Sequence, residues 1–129
     1  MKRALLALVI TAGAVVSGGR ASAHHSYAAT YFEDKTRKIE GRLIQFLYRN
    51  PHSFVYVEAP DEKGVTQRWA VEWGGSGQLG RQGVTGETLK PGDHVVIVGN
   101  PGRNPEEHRL RMVHITRQSD SWKWNGAFD

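Results

Sequence analysis

The chain has no cysteine in its 129 residues, which excludes a disulfide framework, a thiolate nucleophile and a thiolate metal centre. It has no apolar run near the roughly 20 residues that a membrane-spanning helix requires; the stretch Ala4 to Val16 is far shorter. No Gly-x-Ser-x-Gly element is present, and no spaced pair of carboxylates announces glycoside hydrolysis. Gly74, Gly75 and Gly77 are not followed by the Lys and Ser or Thr pair that would complete a phosphate loop. The expectation is therefore not an enzyme. An excess of positive charge is also largely missing: of 17 basic residues against 13 acidic ones, Lys2, Arg3 and Arg20 fall in the first 23 positions. The remainder is close to neutral and offers no electrostatic footprint for nucleic acid, so no nucleic-acid partner is expected.

What is present begins with an export pattern. Lys2 and Arg3 form a charged start, Ala4 through Val16 an apolar stretch, and Ser17 through Ala23 a small, polar exit ending in Ala21, Ser22 and Ala23. That order predicts a signal peptide over 1–23, cut after Ala23, with a periplasmic product and no stable membrane anchor after cleavage. His24 would then carry a free amine, with His25 beside it.

The remaining chain fits one small domain with a single core. Residues 24–37 are polar with scattered aromatics and read as an N-terminal arm lying on a barrel domain over 38–118, with a polar, aromatic tail over 119–129. Lys38 to Tyr48 is a β-rich run whose alternation slips near Ile44, which predicts a long bent or bulged first strand, with Gly41 permitting the bend. Asn50 and Pro51 mark a turn, Ser53 through Ala59 alternates as a second strand, and Pro60 through Gly64 closes a hairpin. Arg68 through Trp73 is a third strand with Trp69, Val71 and Trp73 on one face and Ala70 and Glu72 on the other. Ser76 is positioned to cap a short helix running to Gln82, with Gly83 ending it in the left-handed conformation. Leu89 to Asp93 suits a tight turn into a fourth strand, His94 through Gly99, and a fifth runs from Leu110 through Thr116. Three strands, a short helix and two strands give an all-β class: a five-stranded OB-like Greek-key barrel with one short helix between strands 3 and 4. An open β-sandwich or an SH3-like barrel is the alternative.

His24, His25, Ser26 and Tyr27 behind the signal, Asn50, Pro51 and His52, Trp69 through Glu72, and Leu89 through Asp93 with the strand after it occur in one order along nearly the whole mature chain. In that order they resemble DUF6152, a family of small exported bacterial proteins of unknown function. The resemblance implies a periplasmic OB-like β-barrel with the paired histidines and the Asn-Pro-His turn as its signature, and implies no activity. The glycine-rich stretch after Glu72 and the aromatic tail depart from it.

The candidate ligands are His24, His25 and His52. A terminal amine, an adjacent backbone amide and an imidazole give the nitrogen donors that Cu(II) and Ni(II) prefer, so copper or another transition metal is the cofactor expected if the site forms. The plainer alternatives are a mobile terminus and a turn histidine bonded to nearby backbone. Glu72, on an otherwise apolar strand, either orients a ligand histidine or makes an ordinary pair with Arg68 or Arg42, and the ordinary pair is the expectation for a charged barrel surface. His94, His108 and His114 have no ligand spacing, and Trp69 and Trp73 are expected in the core. The leading expectation is a periplasmic binding protein that holds a metal. The runner-up is a metal-free interaction module or accessory subunit of an exported redox system, which would dock an unidentified periplasmic protein.

Overall fold

The computed structural model describes residues 27–126, so His24, His25 and the signal segment lie outside the described residues, as does Phe128. Within them the chain forms strands β1 (Arg37–Leu47), β2 (Phe54–Pro60) and β3 (Thr66–Glu72), helix α1 (Ser76–Arg81), and strands β4 (His94–Pro101), β5 (Arg109–Arg117) and β6 (Lys123–Asn125). Strand β1 is shared: Arg37 to Arg42 pair with β4, and Arg42 to Leu47 pair with β2, with a register shift between Leu43 and Gln45. That shift is the slip expected near Ile44. A bulge at this point lets one long strand bend from one side of a barrel to the other.

The sheet runs β3-β2-β1-β4-β5-β6, and a parallel pairing of β3 with β5 closes the first five strands on themselves. Closure selects the OB-like barrel over the open sandwich and removes the long edges that such strands would otherwise expose. The parallel seam lasts only from Ala70↔Arg109 to Glu72↔Arg111. Beyond it β3 leaves for α1, and the open edge of β5 is taken by β6, paired at His114 to Thr116. The tail thus adds a sixth strand, and Trp124 enters the core at 7% exposure.

Period-two alternation builds the interior. Val55, Val57 and Ala59 of β2, Trp69 and Val71 of β3, Val95 and Ile97 of β4, and Leu110, Met112 and Ile115 of β5 are buried together with Ile39, Leu43 and Trp73. Leu79 of α1 is buried in the same cluster. Trp69 Nε1 donates to the Ala59 carbonyl at 3.1 Å, which satisfies its one donor.

Two local expectations are corrected. Ser76 is the first helical residue rather than the cap; Gly75 occupies the cap position with no side-chain bond. The Asn50 side chain takes over part of that role across the fold, its Oδ1 accepting from Gly77 N–H at 3.3 Å. At Gly41 the backbones approach closely, since a Cβ there would stand 1.9 Å from the Glu58 carbonyl oxygen, and the irregularity of β1 falls further along, between Leu43 and Gln45. Gly83 does adopt the left-handed conformation after the helix, at φ 83°.

Candidate functional site

The chain before β1 folds back over the closing seam. Residues 27–30 form one helical turn, with Tyr31 N–H bonded to the Tyr27 carbonyl at 2.7 Å. The connection between β4 and β5 holds this turn in place. Arg103 donates from its backbone N–H to Thr30 O at 2.8 Å and from Nε to Ala28 O at 2.7 Å, and Phe32 N–H donates to Pro101 O at 2.9 Å. Tyr31, bridged to Gly102, is fully buried.

Glu72 lies beneath this turn. Alternation along β3 sends Trp69 and Val71 inward, so Glu72 faces out of the barrel, yet it is only 8% exposed because Tyr31 and its neighbours cover it. Phe54 is its cross-strand partner, and His52, two residues earlier, belongs to the same outer face as Phe54, which makes His52 and Glu72 diagonal neighbours. The Asn50–Pro51 turn, whose peptide bond is cis, delivers His52. Buried Ser53 secures it, exchanging hydrogen bonds with the Arg49 backbone at 3.2 Å.

The Glu72 carboxylate accepts from three directions: His52 Nδ1 at 2.5 Å, the Tyr31 hydroxyl at 2.5 Å and Arg109 at 3.5 Å. Its partners assign the proton of neutral His52 to Nδ1. The Nε2 lone pair then faces the Tyr27 hydroxyl, 3.1 Å away, while the two rings stack with centroids 5.5 Å apart. Arg111 also lies over the Tyr27 ring, 3.9 Å from its centroid. Burial raises the Tyr31 pKa strongly, and its bond to Glu72 adds to the rise. Burial likewise raises that of Tyr27; Glu72 reinforces the shift and Arg111 opposes it. Both phenols are therefore neutral donors at neutral pH, matched to the acceptors in front of them.

His52 and Glu72 thus come together on the outer wall. Glu72 does not make the expected pair with Arg68 or Arg42. Arg42 bonds Glu58 at 3.2 Å, Arg68 lies over Tyr56, and the arginine at Glu72 is Arg109. The reason is the parallel seam, which sets β5 beside Glu72 and which strand alternation does not encode. Nor does the His52 ring bond backbone; both of its nitrogens meet side chains. His94 pairs with exposed Glu40 at 3.0 Å, and His108 stands edge-on to Trp69.

Tyr27, Tyr31, Arg109 and Arg111 complete the cluster; of these only Tyr27 stood out in the sequence, as part of the landmark that follows the paired histidines. The i, i+4 spacing of the two tyrosines is a further hint, since it aligns them on a single helical face. Among the described residues, no three His, Asp or Glu side chains converge as a metal cage, and no helix is long and apolar enough to cross a membrane. What the cluster supplies is one imidazole nitrogen, oriented by a buried carboxylate and aimed at the arm, an arrangement suited to binding a metal or accepting a proton.

Comparison with known proteins gives three findings. The family model described as "Family of unknown function (DUF6152)" matches residues 12–111. No curated protein matches the chain. Among solved structures, the crystal structure of the mitochondrial single-stranded DNA binding protein of S. cerevisiae, Rim1, is similar at 16% identity with a TM-score of 0.48, over 67% of this chain and 95% of that one.

Proposed function

This chain belongs to the DUF6152 family, and from that premise we propose that it is an exported, periplasmic OB-like binding protein that takes up copper or another transition metal through His24, His25 and His52. The observation that carries the reading is the 2.5 Å contact between Glu72 Oε1 and His52 Nδ1. A carboxylate on one ring nitrogen fixes the ring and raises the basicity of the other, which is the usual support of a metal-bound histidine. Here that other nitrogen faces Tyr27, two positions after His25 in the sequence.

Chain connectivity supports the same site. Tyr27 is already in contact with His52, and a fully extended chain gains at most about 3.6 Å per residue, so the His25 Cα lies within about 7 Å of the Tyr27 Cα and that of His24 within about 11 Å. Cleavage after Ala23 would add the terminal amine as a further nitrogen donor, favouring Cu(II) or Ni(II). A metal at Nε2 would take the place of the Tyr27 hydroxyl, a neutral phenol whose pKa burial raises. The reading includes no catalytic step.

The test is a competition titration with Cu(II) on protein matured in the periplasm and purified without added metal. The mature form should bind at least tenfold more tightly than either a form with one extra methionine ahead of His24 or His52→Ala. Equal, weak affinity in all three would reject the site. Terminal sequencing of the exported protein should begin at His24; retention of residues 1–23 would remove the amine on which the donor set depends.

A further inference from the structure

The opposite end of the seam carries a groove of about 770 Å³ between the β2–β3 hairpin, the β4–β5 connection and the chain leading into β1. Phe32, Lys35, Lys63, Trp69, Arg103 and Arg109 are among its walls. Its volume falls in the range of small-molecule sites. The charges around it are unequally engaged. Asp61 is turned into its own hairpin, accepting from Lys63 N–H, Val65 N–H and Gln67, and Glu62 is held by Arg37 at 2.8 Å. Among the described residues, Lys35, Lys63 and Arg103 enter no ion pair. Lys35 and Arg103 instead lie 4.2 and 4.7 Å from the centroid of the Phe32 ring, so an apolar surface holds two cations at the groove without neutralising them.

We infer that this groove binds a small organic polyanion, with the cations that lack a carboxylate partner meeting its carboxylate or phosphate groups and Phe32 supporting the aliphatic part between them. Among the described residues, three wall cations on different segments have no carboxylate partner, against two unpaired wall carboxylates, Asp61 and Glu106, of which Asp61 is turned into its own hairpin; this excess of unneutralised positive charge is what selects an anion. The site is separate from the metal reading and does not depend on it. Arg109 joins the two regions, reaching both the groove and Glu72.

Isothermal titration of the full mature protein with citrate and with inorganic pyrophosphate, in about 0.15 M salt to screen diffuse surface attraction, tests the inference. Binding should be saturable and one-to-one for at least one probe; tighter citrate assigns carboxylate chemistry and tighter pyrophosphate assigns phosphate chemistry. The double variant Lys35→Glu with Lys63→Glu, two exposed positions whose reversal leaves the core intact, should weaken binding at least tenfold. Lys123→Glu on β6 carries out one charge reversal away from the groove and should change affinity less than twofold. No saturable binding of either probe at millimolar concentration would overturn the proposal, as would an equal loss in Lys123→Glu or full retention in the double variant.

Discussion

The two faces of β3 are built from neighbouring residues and stabilised in opposite ways. On the inner face, Trp69 and Val71, with Trp73 just past the strand end, meet other apolar side chains from every strand of the barrel, and Trp73 packs edge-on to Trp124 with centroids 5.0 Å apart. On the outer face, Glu72 is nearly as buried as they are, but only because Tyr31 arrives from outside the barrel, and each Glu72 oxygen is engaged by a donor. The inner face tolerates imprecision, since dispersion and burial are non-directional. The outer face does not: a buried carboxylate without its donors is costly. This is why the imidazole is held in one orientation, and why the candidate site sits on the outer face.

The contrast can be broken most strongly from the inside. Trp73→Ala should cost about 4 kcal/mol in urea unfolding, the magnitude expected for emptying a buried aromatic position. Among the described residues Trp73 Nε1 has no hydrogen-bond partner, so Trp73→Phe should lose distinctly less. On the outer face, Glu72→Ala should cost about 3 kcal/mol, because it strands the Tyr31 hydroxyl and the His52 Nδ1–H together, and it should free the His52 ring, visible as averaged imidazole signals by NMR. A loss larger than that of Trp73→Ala would mean that the arm, rather than the barrel interior, governs cooperativity.

A smaller effect sharpens the comparison through pH. The pKa of Tyr31 is raised above its ordinary value of 10.0, so the unfolded chain ionises this phenol before the folded one does. Stability from it is complete below pH 10 and falls as pH rises beyond that toward the folded value. Tyr31→Phe should cost about 1 kcal/mol at neutral pH and flatten the alkaline decline, and absorbance titration of the native protein should show tyrosines that resist ionisation above pH 10. At the far end of the scale, Arg42→Ala breaks the pair with Glu58, in which both side chains are well exposed, and should change stability by less than about 0.5 kcal/mol.

Much of the inner face was legible without coordinates. Alternation over Ser53 to Ala59 and over Arg68 to Trp73 identified two strands, the tryptophans marked the buried side of the second of these, and the slip at Ile44 marked the bulge. The pairing of His52 with Glu72 was half legible: both residues stood out, but the expected arginine was wrong. Arg109 lies far along the chain and meets Glu72 only through the parallel seam. The capping of α1 by Asn50 escaped for the same reason, since the helix and its partner belong to different turns. The strand in the tail was hidden by shortness: three residues carry too little periodicity to announce pairing with β5.

By itself the sequence determined the strand count of the closed barrel, Trp69 and Trp73 as core residues and the two polar residues worth following, because period-two alternation is a local property that each segment carries alone. Only the tertiary structure decided that Glu72 is buried, that His52 presents Nε2 to the arm, and that Tyr27, Tyr31 and Arg109 share the site. Those facts depend on which segments meet across the β3–β5 closure, and the directional hydrogen bonds formed there join residues whose separation along the chain leaves no periodic trace.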